Sequence, residues 1–87
     1  MKKFILAGAI GALAATSAMA EVKVGMITTL SGGGAGLGID VRDGFMLAIA
    51  QSGRDDIEVV IEDDQRKPDI AVQLADKMIQ SEKVDVL

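Results

Sequence analysis

Cysteine and histidine are both missing from the 87 residues, and two phenylalanines are the only aromatic residues. Without cysteine there is no disulfide framework. Without cysteine or histidine, neither a Ser-His-Asp nor a Cys-His catalytic set can be assembled, and the usual nitrogen and sulfur ligands of transition metals are absent. Phe45 is the one ring beyond residue 20, so residues 21–87 cannot stack a ligand between aromatic faces. Long apolar runs are also lacking: the longest, Phe4 to Ala15, falls well short of the roughly 20 residues that span a bilayer. Basic charge is scarce, with 9 Lys and Arg against 13 Asp and Glu.

The N-terminal residues carry an export pattern. Met1-Lys2-Lys3 is a short basic start, Phe4 to Ala15 is apolar and small, and Ala18-Met19-Ala20 places small residues around a larger one. This three-part arrangement predicts a secretory signal peptide over residues 1–20, cleaved between Ala20 and Glu21. No cysteine stands at that junction to carry a lipid, so the expected product is exported and has no stable membrane insertion after cleavage. All 13 acidic residues and seven of the nine basic ones lie past Ala20, a formal balance of −6. Such a surface repels phosphate backbones, which argues against nucleic acid as a partner.

Hydrophobic periodicity then sets out an alternating order. Val22, Val24 and Met26 begin a β-prone run that reaches Leu30. Val41, Phe45, Ala48 and Ile49 recur at the spacing of one helical face, and Gly44 within them suggests close packing against a neighbour. Ser52-Gly53 ends that helix, with Gly53 suited to a left-handed cap. Ile57 to Ile61 reads as a second strand. Pro68 fits the first turn of a second helix, Asp69 suits its positive end, and Ile70, Leu74 and Met78 with Ala71, Ala75 and Ile79 form its apolar rows. Val84 to Leu87 reads as the opening of a third strand. The predicted fold class is α/β, a parallel sheet in the order β-α-β-α-β with short crossovers. Because the sequence stops inside that strand, residues 21–87 are expected to be the incomplete beginning of a longer α/β lobe. With an open sheet edge, they are not expected to form a stable monomer alone.

Five of the eight residues from Ser31 to Gly38 are glycine, placed between the first strand and the first helix. A dinucleotide fingerprint needs Gly at i and i+2 and Gly or Ala at i+5. Starts at Gly32, Gly34 and Gly36 meet Leu37, Ile39 and Val41 at the last position, so no register fits. Gly33 and Gly38 have the gap of a nucleotide-triphosphate loop, but Ile39-Asp40 replaces its Lys-Ser/Thr pair. Glycine backbone still permits close approach, a helix N-terminus offers free N–H donors, and ligands of parallel sheets gather at the carboxyl ends of the strands. Ser31 would supply a hydroxyl there and Leu37 an apolar contact; a tight connection without function is the competing reading. Glu62-Asp63-Asp64-Gln65 reads as a solvated strand end, with a calcium cluster or an acid pair as alternatives. No metal or cofactor is expected.

The stretches "VKVGMITTLSGGGAGLGIDVRDGFMLAIAQSG" and "IEVVIEDDQRKPDIAVQLADKMIQSEKVDVL" resemble the start of periplasmic solute-binding proteins of the branched-chain amino acid (Leu/Ile/Val-binding) type, the soluble components of ABC importers. The most specific features are "TTLSG" before a small-residue loop, "DGFMLAI" on the first helix and "EDDQRKPDIAVQLADKMI" across the second crossover. The resemblance implies a type I periplasmic-binding-protein lobe at residues 21–87, the first of two lobes that clamp a ligand. It implies a periplasmic location, an ABC importer permease as partner, no enzyme activity, and an amino acid or other small carboxylate as ligand. Ser31, Gly32, Leu37 and Gly38 would line the cleft, and Leu37 matches a position where Leu/Ile/Val binders place an aromatic ring. The family commonly carries Pro where this chain has Gly33, which loosens the loop. Its main carboxylate-holding residues lie past Leu87. The alternative is an exported α/β enzyme or receptor domain holding a phosphorylated small molecule on the glycine stretch.

Overall fold

The computed structural model describes residues 21–87. The expected signal peptide, residues 1–20, lies outside the described residues. Strand β1 runs over Val22–Thr28 and strand β2 over Ile57–Asp63. They pair in parallel over their whole length, from Val22 opposite Ile57 to Thr28 opposite Asp63. The chain between them forms helix α1, Ala35–Ser52, as a parallel pair requires of its crossover. Helix α2, Pro68–Gln80, follows β2. The α/β order read from the periodicity is present, and β2 extends two residues past the predicted Ile61.

The packing of α2 explains a glycine inside a strand. A Cβ on Gly25 would lie 2.6 Å from Met78 Sδ and 2.9 Å from Leu87 Cδ1, so the bare backbone of β1 is what lets the α2 side approach. Met78 is wholly buried there, the one large side chain so enclosed among the described residues. Ile70, Ala71, Leu74 and Ala75 are half-buried along the same stripe. Ile79, assigned by its spacing to that stripe, is 55 % exposed. Pro68 opens α2, Asp69 lies in its first turn and Lys77 in its last, in keeping with the helix dipole. Lys77 Nζ also donates to Glu62 Oε2 at 2.7 Å, tying the helix end to β2.

The predicted third strand is reduced to one parallel bridge, Val86 to Val24. Val24 is bridged to Val59 of β2 as well, so Val86 lies on the opposite edge and β1 is central. Gly25 N donates to Val86 O at 2.8 Å and Asp85 N to Lys23 O at 2.7 Å. The Asp85 carboxylate then accepts the Lys23 N–H at 2.7 Å. A side chain thereby takes the donor that an earlier start of the strand would have paired, and the ladder begins only at Val86.

On α1 the expected apolar face is partly realised. Phe45 and Ile49 are half-buried, but Ala48 is exposed and Val41 is 54 % exposed. Gly44 corrects an expectation: it is exposed, and a Cβ there would meet nothing within 4 Å. The C-cap does follow the expectation, with Gly53 left-handed at φ 75°. Between α1, β1 and the bridged end lies a mostly apolar hollow of about 560 Å³, bordered by Met26, Val41, Phe45, Val86 and Leu87.

Candidate functional site

The glycine stretch is less of a loop than its composition predicts. After Ser31, residues Gly32–Gly34 make one turn of 3-10 helix and α1 starts at Ala35. Gly32 alone in this stretch has a left-handed backbone, at φ 77°. Neither Ser31 nor Gly34 caps with a side chain, and no acidic residue occupies the first turn of α1. The positive end of the helix is therefore not neutralised from within.

Gly38 is buried for a steric reason. A Cβ there would overlap the Thr29 carbonyl and come within 2.9 Å of Thr28 Oγ1. Thr28 Oγ1 instead donates to Gly38 O at 3.2 Å, so the first turn of α1 rests directly on the end of β1. Its backbone also forms part of the hollow described below, so packing and site coincide at this residue.

Asp63 and Asp64, expected to be a solvated strand end, are a brace between the two strand ends. Asp63 Oδ1 accepts the Leu30 N–H at 2.9 Å and the Gln65 N–H at 2.8 Å. Asp64 Oδ1 accepts the Thr29 hydroxyl at 2.7 Å and the Arg66 N–H at 2.8 Å. These bonds hold Gln65 and Arg66 in the left-handed region, at φ 55° and 60°, which costs roughly 1–2 kcal/mol per residue for L-amino acids. The Ser31 hydroxyl first, then the Leu30 and Gln65 N–H groups, hold the Asp63 carboxyl below the usual aspartate range, and partial burial opposes them.

A depressed folded pKa means that the brace stabilises the fold above the ordinary aspartate value, near 3.9, and that this contribution is lost as pH falls through the lower folded value. Thermal midpoints of the full-length protein measured from neutral pH downward should therefore fall for the wild type, with a shallower fall for Asp63→Asn. Parallel curves would show that the Asp63 charge contributes nothing.

At the carboxyl end of β1 these elements surround an open hollow of about 570 Å³. Thr28 and Thr29 form one side; Gly33, Gly34 and Gly36 present backbone; Leu37 and Val41 supply the apolar wall. Arg66 enters from the β2 end and is the only charged residue lining it among the described residues. Of the four residues expected at the site, Leu37 and Gly38 lie in this hollow, Leu37 with 75 % of its surface exposed. Ser31 and Gly32 are exposed and lie outside its lining. The sequence reading passed over Arg66. Its signal was position, since it follows the carboxyl end of the parallel neighbour of β1, and in such sheets adjacent strand ends share one edge.

Residues 21–87 match the periplasmic binding protein family, and the chain belongs to that family. Among solved structures it is similar to an ABC transporter substrate-binding protein from Sphaerobacter thermophilus, with 28 % identity and a TM-score of 0.70. The alignment covers 72 % of this chain and 18 % of that one, so the chain spans less than a fifth of that protein's length. No curated protein matches the chain. No helix among the described residues is long and apolar enough to cross a membrane.

Proposed function

We propose that residues 21–87 open the first ligand-clamping lobe of an extracytoplasmic solute-binding protein, which delivers a branched-chain amino acid or similar small carboxylate to an ABC importer permease. In this reading the protein binds and releases its solute without chemical change, and it reaches the periplasm by means of the export pattern in residues 1–20. The observation that carries the proposal is the hollow at the carboxyl end of β1, where glycine backbone, a helix start without a side-chain cap and the exposed Leu37 face one space. That combination suits a solute with a small anionic group and an apolar body. Family membership and the printed description of the Sphaerobacter protein support the same reading. Leu37 would contact the apolar body and Gly38 would offer backbone. Ser31 and Gly32 would contribute at the rim, where the second lobe closes.

Calorimetric titration of the full-length protein with leucine, isoleucine, valine and related carboxylates tests this. Leu37→Ala should weaken binding by about 1–3 kcal/mol, the scale of losing part of an apolar pocket. Gly36→Val supplies a steric test that spares the fold: a Cβ on Gly36 meets nothing within 4 Å of the protein, so the added methyls extend into solvent and the hollow. Binding should weaken while the thermal midpoint holds. If both variants bind as tightly as the wild type, the hollow is not the solute site.

A further inference from the structure

We infer that Arg66 adds a charged contact from this lobe to the anionic group of the solute, beside any groups past Leu87. Its stem runs over the 3-10 turn, with Cδ 3.5 Å from where a Cβ on Gly34 would stand. The side chain thus passes over the 3-10 turn that leads into α1 and borders the hollow. Among the described residues the ion pairs are Lys23–Glu82, Arg42–Asp43, Arg54–Asp56 and Lys77–Glu62. The Arg66 guanidinium belongs to none of them. The neighbouring acids bond elsewhere through Oδ1: Asp64 Oδ1 accepts the Thr29 hydroxyl and the backbone N–H of Arg66, and Asp63 Oδ1 accepts two other N–H groups.

The backbone of Arg66 is fixed, while among the described residues its guanidinium forms no ion pair. Asp64 holds the main chain at a left-handed φ of 60°, a conformation that a long side chain adopts only at a cost. That geometry carries the stem toward Gly34 and the hollow. A guanidinium presents a rigid fork of donors that matches a carboxylate in two parallel bonds, while Leu37 and Val41 offer apolar surface to the rest of the solute. The chemistry selected is therefore a carboxylate joined to a short apolar body.

This inference rests on the solute-binding reading above, and the experiment separates the two. Full-length wild type, Arg66→Gln and Arg66→Lys would be titrated calorimetrically with L-leucine, with 4-methylpentanoate and with L-leucinamide, whose carboxylate is replaced by an amide. Gln retains the backbone bond to Asp64, and unchanged melting of the variant confirms that the fold is kept. Arg66→Gln should weaken both carboxylates by about 10- to 100-fold, the range for losing a charge-assisted pair. It should also collapse the wild-type preference for the acids over leucinamide, and Arg66→Lys should restore part of both. Unchanged acid affinities in Arg66→Gln, or an equal loss for leucinamide, overturn the role of Arg66 and leave the solute-binding reading standing. Failure of the wild type to bind any of the three probes overturns both.

Discussion

Replacing Gly38 by alanine is expected to destabilise the full-length protein by about 3 kcal/mol, the upper end of what overpacking usually costs. The added carbon would overlap the Thr29 carbonyl, and a main-chain carbonyl at the end of a paired strand has no rotamer to move into. Relief requires α1 to lift from β1, which breaks the bond from Thr28 Oγ1 to Gly38 O and disturbs the segment that Asp63 and Asp64 hold through Leu30 and Thr29. Alanine has the better helix propensity, but that gain is about 1 kcal/mol at most, so the steric term decides. Denaturant unfolding of the variant beside Gly36→Ala, which enters open space on the same helix, measures the difference. A Gly38→Ala variant within 0.5 kcal/mol of the wild type would show that α1 does not rest on Thr29.

Gly25→Val should cost about 2 kcal/mol for a related reason with a softer outcome. Valine is favoured in strands on a scale of about 1 kcal/mol, and the position is a central strand where glycine is intrinsically poor. Against that, a Cβ alone would already stand 2.6 Å from Met78 Sδ, 2.9 Å from Leu87 Cδ1 and 3.3 Å from Val84 Cγ1. The two further methyls of valine deepen the conflict, and overpacking of this kind costs about 1–3 kcal/mol. The atoms in the way belong to side chains, so part of the strain can be relieved by repacking, which is why the expected loss is smaller than at Gly38. A double variant with Met78→Ala checks the mechanism. Met78→Ala alone should cost about 2–5 kcal/mol as a buried truncation. Combined with Gly25→Val it should cost clearly less than the two losses added, because the new valine fills the space that methionine leaves. Additive losses would mean that the two residues do not share that space.

Periodicity was sufficient for the elements because it records a local rule. Alternation over Val22–Met26 and the i, i+4 rows from Ile70 to Met78 each state which side of one element avoids water. Pro68, Asp69 and Gly53 mark ends by backbone chemistry that acts within a turn. Both strands, both helices and the parallel order were therefore legible, as was the failure of the glycine stretch to match a phosphate fingerprint. Local rules went astray where a partner decides the outcome. Gly44 looked like a packing glycine and faces open space, while Gly25, which does admit a neighbour, looked like any strand residue. Ile79 and Ala48 kept the right spacing and stay exposed among the described residues.

The candidate site divides in the same way. Leu37 and Gly38 were readable because they lie within one turn of a helix start just past a strand end, and the stretch announces itself by composition. Arg66 was marked by nothing but its position past the end of β2, since it is 29 positions from Leu37 in sequence and reaches the hollow only through the pairing of Thr28 with Asp63. The acidic run Glu62-Asp63-Asp64 has a composition common on solvated surfaces. Its conversion into a brace needs the Leu30 N–H and the Thr29 hydroxyl from the other strand end. By itself, then, the sequence determined the elements, their order and one half of the hollow, because each depends on residues within a few turns of one another. Strand register, the contact of Gly38 with Thr29, and the arrival of the Arg66 side chain at the hollow that Leu37 lines were decided by the tertiary structure. Each of these is a distance between residues from different elements, and only the packed chain sets such distances.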